Sequence, residues 1–255
     1  MKSKKEIFKI ESLQYFNRAV QGLKDGEYLE QKAHPDFTEI INQYFNDSRL
    51  TTHDSNMLRV LDVGCGTGKN LHFIYKNFNS ECFGIEPSSE LTEKLNRDFD
   101  NKIQFITGTS DELPFDDNSF DLVICWSTLH WVHRNLILQS LGEILRVTKK
   151  YILIMDFCPS KPYRTEYMHD KNIETYKIDY KNILMNTGIC KLLDEKIYYH
   201  PSWKDDTERN VISLKKEEYE SGVYDWVVRK RILLEKDFEL LPVKISNDFQ
   251  VIENK

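Results

Sequence analysis

From Leu58 to Phe157 short apolar runs alternate with amphipathic stretches, and this rhythm constrains the fold more than any other feature of the chain. The runs are Leu58–Val63, Glu81–Ile85, Ile103–Thr107, Phe120–Cys125 and Tyr151–Phe157. Between them, around Asn70–Asn77, Ser89–Asp98 and Asn135–Arg146, apolar residues recur at helical spacing. Strands that are apolar along their whole length need cover on both faces, so the alternation predicts an α/β fold with a mostly parallel sheet flanked by helices. Right-handed crossovers leave few topologies, and a ligand then belongs at the carboxyl ends of the strands.

The first run leads into Leu58-Arg-Val-Leu-Asp-Val-Gly-Cys-Gly-Thr-Gly68, three glycines at alternate positions with a helix expected from Lys69. Glycine lets the backbone turn sharply and lets a ligand come closer than a side chain permits. A dinucleotide site is a real competitor, because Glu86 ends the next strand where a ribose-binding acid belongs. Two details separate the readings. The dinucleotide fingerprint wants its third glycine where Lys69 stands, one residue after Gly68. Asp62, two positions before the first glycine, suits a cationic ligand with an amino-acid end better than a pyrophosphate.

With these residues the sequence resembles the class I S-adenosylmethionine-dependent methyltransferases, in their small-molecule branch of the type 11/25-like kind. The resemblance covers roughly Leu58–Phe157 and rests on four motifs in order. They are the glycine turn with Asp62, then Gly84-Ile-Glu-Pro-Ser88, then Gly108-Thr-Ser-Asp-Glu-Leu-Pro-Phe115, then the stretch Asp116–Val132. It implies a Rossmann-like fold with a seven-stranded sheet, an N-terminal helical lid over residues 1–55, a core over 56–215 and a C-terminal helical extension over 216–255. It implies S-adenosylmethionine as cofactor, with Asp62, Gly64, Cys65 and Gly66 around its methionine part and Glu86 with Pro87 at the ribose. Thr109, Ser110 and Asp111 are open alternatives for the adenine, since Thr109 stands where the family often has Asp. Cys125 and Ser127, at the end of the fourth strand, complete the expected cofactor set. The Pro-Gly common before the fifth strand is replaced by Lys149-Lys150, which alters a turn and leaves the chemistry alone.

In a methyl transfer the sulfonium brings the electrophile, and the protein supplies orientation, desolvation and sometimes a base. His130, in Ser127-Thr-Leu-His-Trp131, is a candidate at the methyl, with a structural or positioning role favoured over that of a base. Tyr163, Arg164 and His169 lie on one short segment past the fifth strand, in an acceptor-loop insertion expected over 158–182 as irregular chain or short helices. Arg164 suits a carboxylate or phosphate of the acceptor. Tyr15, Tyr28, Trp131 and Tyr167 are the candidate substrate contacts, and Trp126 and Trp131 read as wall. The run Pro159–His169 is loosely similar to segments of methyltransferases of bacterial surface-polysaccharide modification. That implies an oxygen, with nitrogen second, of a small polar acceptor such as a sugar, a nucleotide-linked sugar or a phosphoramidate-type group.

Composition narrows the partners. The chain has 255 residues, enough for one sizeable core with appended ends. Its net charge of −6 provides no global field for a polyanion, and with no (Asn/Asp)-Pro-Pro-aromatic motif or Pro-Cys pair a nucleic-acid substrate is disfavoured. No apolar run approaches bilayer length, so no membrane partner is expected. The five scattered cysteines, at 65, 82, 125, 158 and 190, have no metal-ligand spacing and fit a cytoplasmic protein with reduced thiols, monomer or homodimer. Toward the C-terminus, Lys196–Tyr199 and Asn210–Leu214 read as strands and Glu217–Glu235 as a charged amphipathic helix. A non-catalytic S-adenosylmethionine binder and a nicotinamide-dependent oxidoreductase are the alternative functions.

Overall fold

The computed structural model describes residues 30–45, 57–159, 161–167, 170–198 and 229–236. The expected alternation is present almost residue for residue. Strands β1 (Leu58–Val63), β2 (Ser80–Glu86), β3 (Gln104–Thr107), β4 (Phe120–Trp126) and β5 (Thr148–Phe157) alternate with helices α2 (Lys69–Asn77), α3 (Ser89–Asp98) and α4 (Ile137–Val147). Helix α1 (Pro35–Phe45) precedes them, and its Phe37, Ile40, Ile41 and Phe45 share one buried face. Ser88 caps α3, its hydroxyl accepting from Leu91 N at 3.3 Å.

After β5 come β6 (Tyr163–Tyr167), β7 (Asp170–Lys177), α5 (Tyr180–Met185), β8 (Cys190–Tyr198) and β9 (Arg229–Lys236). The central sheet has seven strands in the order β3-β2-β1-β4-β5-β9-β8, and β6 and β7 form a separate two-stranded sheet. Strands β1 to β5 pair in parallel, whereas β9 runs antiparallel to both of its neighbours. The mostly parallel, Rossmann-like seven-stranded architecture is therefore as expected. Because β1 lies between β2 and β4, the chain turns to opposite sides of β1 and leaves a crevice at the carboxyl ends of β1 and β4.

Alternate strand residues feed two cores, as the two-residue period requires. Leu61, Val123, Ile152, Ile154 and Ile232 pack with α4 and α5 on one face. Val60, Leu122, Ile124, Leu153 and Leu233 pack with α1, α2 and α3 on the other.

Two expectations past β5 need correction. The stretch expected as irregular chain or short helices holds the β6–β7 hairpin, in which Thr165 pairs with Thr175 and Arg164 with Tyr176 across the strands. Arg164 also forms an ion pair with Glu174 at 3.0 Å. The helix expected over Glu217–Glu235 is, where described, strand β9, whose Ile232, Leu233 and Leu234 are fully buried. Its charged residues are held inside the fold: Arg231 reaches Asp194 at 3.0 Å and Glu39 at 3.3 Å, and Lys236 Nζ donates to the carbonyls of Leu145 and Thr148, each at 2.5 Å. The sheet thus takes in residues beyond 216, where an extension was expected. Asn210–Leu214 lies outside the described residues, as does all of the expected lid before Glu30.

Candidate active site

At the end of β1 the chain enters the glycine turn, where Gly64 and Gly66 have φ of +72° and +53°. A Cβ on Gly64 would stand 2.3 Å from Thr128 Cγ2, so this turn packs directly on the turn after β4. At Gly66 such an atom would meet nothing within 4 Å, and the backbone is left open to the crevice. Gly64 N and Cys65 N both donate to Ile85 O, at 2.8 and 3.0 Å, which pins the turn to the end of β2.

Glu86 closes that end. Its Oε2 accepts from Gly66 N at 3.1 Å and its Oε1 from Ser88 N at 3.4 Å. Burial raises its carboxyl to about 7 against these two donors. Asp62 lies fully buried beneath the turn, where Oδ2 accepts from Asn70 Nδ2 at 3.4 Å. Burial raises its carboxyl to about 7 as well, and the nearby Glu86 adds to the effect. Among the described residues, Asp62 Oδ1 and Asn70 Oδ1 are buried acceptors with no donor. Such acceptors are costly unless something supplies a proton to share.

These residues line or underlie one cavity of about 630 Å³, the size of a small-ligand site. Gly64, Cys65, Gly66, Glu86 and Pro87 border it from the β1–β2 side. Thr109, Ser110 and Asp111 all border it from the loop after β3, so the three adenine alternatives share one wall. Ser110 Oγ donates to Ser140 Oγ at 2.8 Å and Gln139 Nε2 donates to Asp111 O at 2.8 Å, fixing that loop on α4.

The far wall is built at the ends of β4 and β5. Ser127 lines it with φ +58°, a conformation that costs a non-glycine residue of order 1 kcal/mol and needs support. Support comes from Ser127 N donating to Met155 O at 2.7 Å and Thr128 Oγ1 donating to Gly64 O at 3.2 Å. Trp126 and Trp131 line the cavity as wall. Behind them a 3₁₀ turn, Leu129–Trp131, hangs on the buried Asp156. Asp156 accepts from Leu129 N (2.8 Å), His130 N (3.3 Å), Phe157 N (2.7 Å) and the His130 ring Nδ1 (2.8 Å). Burial opposes its charge, yet the His130 imidazole and these donors hold its carboxyl below the usual range.

Several expected residues do not reach the cavity. His130 is buried behind it, between Asp156 and the rings of Trp131 and Phe157 at 5.1 and 5.3 Å, which gives it a positioning place. Cys125 is fully buried in the core, and burial pushes its thiol and that of Cys65 well up, so neither is a nucleophile. Tyr163 packs under Lys177 and Arg164 sits exposed on the hairpin, paired with Glu174. Tyr167 is the last residue of β6, and its side chain lies outside the described residues. His169, Tyr15 and Tyr28 lie outside the described residues. Arg164→Ala is accordingly expected to leave turnover within about twofold and to shift stability by less than ~1 kcal/mol, as assays and thermal melts would read.

Other residues in or behind the cavity wall had no place in the sequence reading. Asn70 stands in the first turn of the helix after the glycines, and Asp156 is an acid inside an otherwise apolar strand, so both left a local signal. His34, Thr128 and Arg229 also line the cavity. His34 comes in with the segment before α1, tied to the glycine turn by a Thr67–Gln31 hydrogen bond.

Residues 60–151 match the family described as a methyltransferase domain. The chain is 29% identical over 121 residues to the uncharacterized methyltransferase YcgJ of Bacillus subtilis, covering 45% of this chain and 47% of that protein. It is 33% identical over 163 residues to the probable S-adenosylmethionine-dependent methyltransferase CRG1 of Saccharomyces cerevisiae, covering 55% and 53%. The chain thus spans about half the length of the curated relatives it matches. In fold it is similar to a Burkholderia thailandensis N1-methyltransferase crystallised with 1,6-didemethyltoxoflavin and S-adenosylhomocysteine, with a TM-score of 0.61, 10% identity and coverage of 93% and 92%. A Methanosarcina mazei methyltransferase structure gives 0.57 and 15%, covering 82% of this chain and all (100%) of the other. The matched segment spans the glycine turn, Glu86 and the loop after β3, so the residues that build this side of the cavity are those that match a methyltransferase domain.

Proposed function

We propose that the protein transfers a methyl group from S-adenosylmethionine to an oxygen of a small polar acceptor, and that one cavity holds both molecules. The observation that carries this reading is the continuity of that cavity from the glycine turn and Glu86 to Trp131 and Arg229. Buried acceptors without donors at Asp62 and Asn70 fit the ammonium of the cofactor's methionine part, and the Glu86 carboxylate fits a pair of ribose hydroxyls. Thr109, Ser110 and Asp111 form the wall for its base.

When bound, the cofactor supplies the methyl group on a sulfonium. The protein's own part is to orient and to exclude water. Trp126 and Trp131 offer aromatic faces that favour a cation and keep the site dry. The contact of Asp156 with His130 Nδ1 fixes the turn that carries Trp131. An acceptor bearing an acidic or already anionic oxygen then needs placement more than deprotonation. The finer acceptor class, a sugar, a nucleotide-linked sugar or a phosphoramidate-type group of surface polysaccharide, is part of this proposal and is supported only by the likeness of Pro159–His169.

Calorimetric titration of the purified chain with S-adenosylmethionine and S-adenosylhomocysteine, with NADH as control, tests the reading. Binding of the first two and not of NADH is expected. Binding of NADH alone would overturn it, and tight cofactor binding with no methyl transfer to any nucleotide-linked sugar would remove the finer acceptor class.

A further inference from the structure

The two ends of the cavity differ in their charged groups. Glu86 borders the glycine-turn end together with Lys69, above the buried Asp62, whereas Arg229, the first residue of β9, lines the opposite end with no carboxylate among its lining neighbours Trp131 and Met155. In the order β2-β1-β4-β5-β9 these ends are four strand spacings apart, roughly 19 Å at ~4.8 Å per step. Glu86 and Arg229 therefore face different parts of whatever fills the cavity. Trp126, Trp131 and Met155 supply mostly apolar wall between them.

Arg229 does not stand alone. Its guanidinium carbon lies 4.3 Å from the centre of the Phe157 ring, opposite which Phe157 pairs with it across β5 and β9. Lys177 Nζ, from β7, lies 5.5 Å from the same ring and 5.4 Å from that of Tyr163. Lys177 is only 5% exposed and donates to the hydroxyls of Thr165 and Thr175. The charge of Asp156 favours that of both Lys177 and Arg229, while its oxygens accept from three backbone N–H groups and from His130. Burial works against the charge of both cations, pushing Lys177 down to about 8 and lowering Arg229. A guanidinium keeps its proton even so, and its planar fork of donors matches an oxyanion in two bonds. An anion entering this end would offset the cost of keeping that charge out of water.

We propose that Arg229 is the anchor for an oxyanion of the acceptor, with Lys177 as the second positive charge behind it, so that the acceptor class is a small molecule bearing a carboxylate or a phosphate. This deepens the methyltransferase reading and rests on it. It also moves the anion-binding role expected of Arg164 to a residue on the central sheet, where β5 and β8 hold the backbone on both sides.

The test uses the full chain saturated with S-adenosylhomocysteine and two matched pairs of probes, read by calorimetry. 4-Hydroxybenzoate is compared with 4-hydroxybenzamide, and phenyl phosphate with phenol. At least one anion is expected to bind about tenfold or more tighter than its neutral partner, and the pair that shows it separates carboxylate from phosphate. Arg229→Gln is expected to abolish that preference while S-adenosylhomocysteine affinity stays within about twofold, and Arg229→Lys to keep part of it. The retained affinity for S-adenosylhomocysteine reports that each variant is folded. Equal binding of anion and neutral probe, no binding of either anion, or a preference that survives Arg229→Gln overturns the proposal. So does a variant that loses S-adenosylhomocysteine instead, since Arg229 would then hold the cofactor's carboxylate. Failure of the unaltered chain to bind S-adenosylhomocysteine strikes the methyltransferase reading rather than the anchor. The probe pairs titrated without it still read the anchor directly.

Discussion

Glu86→Gln is expected to weaken S-adenosylhomocysteine binding about a hundredfold or more while leaving the empty protein at least as stable at pH 8. In the proposed complex the carboxylate accepts from two ribose hydroxyls, and bonds to a charged acceptor contribute about 1.5–3 kcal/mol each. Losing most of two such bonds amounts to roughly two orders of magnitude or more in Kd. Without ligand the sign reverses, because burial raises this carboxyl from its ordinary value to about 7. A group raised in this way holds its proton in the folded state where the unfolded chain has released it. Its contribution to stability is full below the unfolded value near 4.5 and is lost as the pH rises toward 7. Asp62, raised to about 7 by burial, works in the same direction. Thermal melts at pH 5 and pH 8 are thus expected to differ less in Glu86→Gln than in the unaltered chain. Undiminished affinity in the calorimeter would remove Glu86 from the ribose site.

The second large effect is expected at Asp156, through stability and turnover together. Asp156→Ala leaves the N–H groups of Leu129, His130 and Phe157 without their acceptor and frees the His130 ring. Breaking a buried charged network from one side costs about 3–5 kcal/mol. For a chain of this size that is roughly a 10 °C fall in Tm. Turnover is expected to fall further than stability requires, because the turn carrying Trp131 loses its support. Despite burial, Asp156 is held below the usual carboxylate range, so its stabilising contribution is present above the unfolded value of 3.8 and disappears as the pH falls below it. A variant melting within ~2 °C of the unaltered chain, with ordinary turnover, would contradict this account.

The parallel half of the sheet was legible because each of its strands is an apolar run between polar turns. For β1 and α3 even the expected bounds agree with the structure. Glycines with Asp62 and Glu86 pointed to the ends of β1 and β2, where the cavity opens, since the approach of a ligand to backbone demands glycine in a local pattern. Strand β9 gave no such pattern. Its sequence, Arg-Lys-Arg-Ile-Leu-Leu-Glu-Lys, has three apolar residues among charges and reads as one face of a helix. The charges are instead buried on partners from distant segments, Arg231 on Asp194 and Glu39, and Lys236 on carbonyls at the end of α4. Those partners are invisible to periodicity. The hairpin was hidden for a related reason: Tyr163–Lys177 alternates polar with polar, and its cross-strand threonine and ion pairs replace an apolar face. Arg164 drew attention by its aromatic neighbours in sequence, whereas Arg229 is brought to the cavity only by the pairing of β9 with β5.

The position of β9 has a consequence for how the molecule is made. It is the last described strand to leave the ribosome, yet it lies between β5 and β8 in the finished sheet. At translation rates of ~5–20 residues per second, β5 waits several seconds with its outer edge unpaired. That edge includes Ile152, Leu153 and Ile154, and an open apolar edge of this kind invites the wrong partner. The half that carries the glycine turn can assemble early from β1 to β4. The half that carries Arg229 is completed only when the closing strand docks, so a nascent chain would acquire the glycine-turn wall of the cavity before the wall proposed for the acceptor.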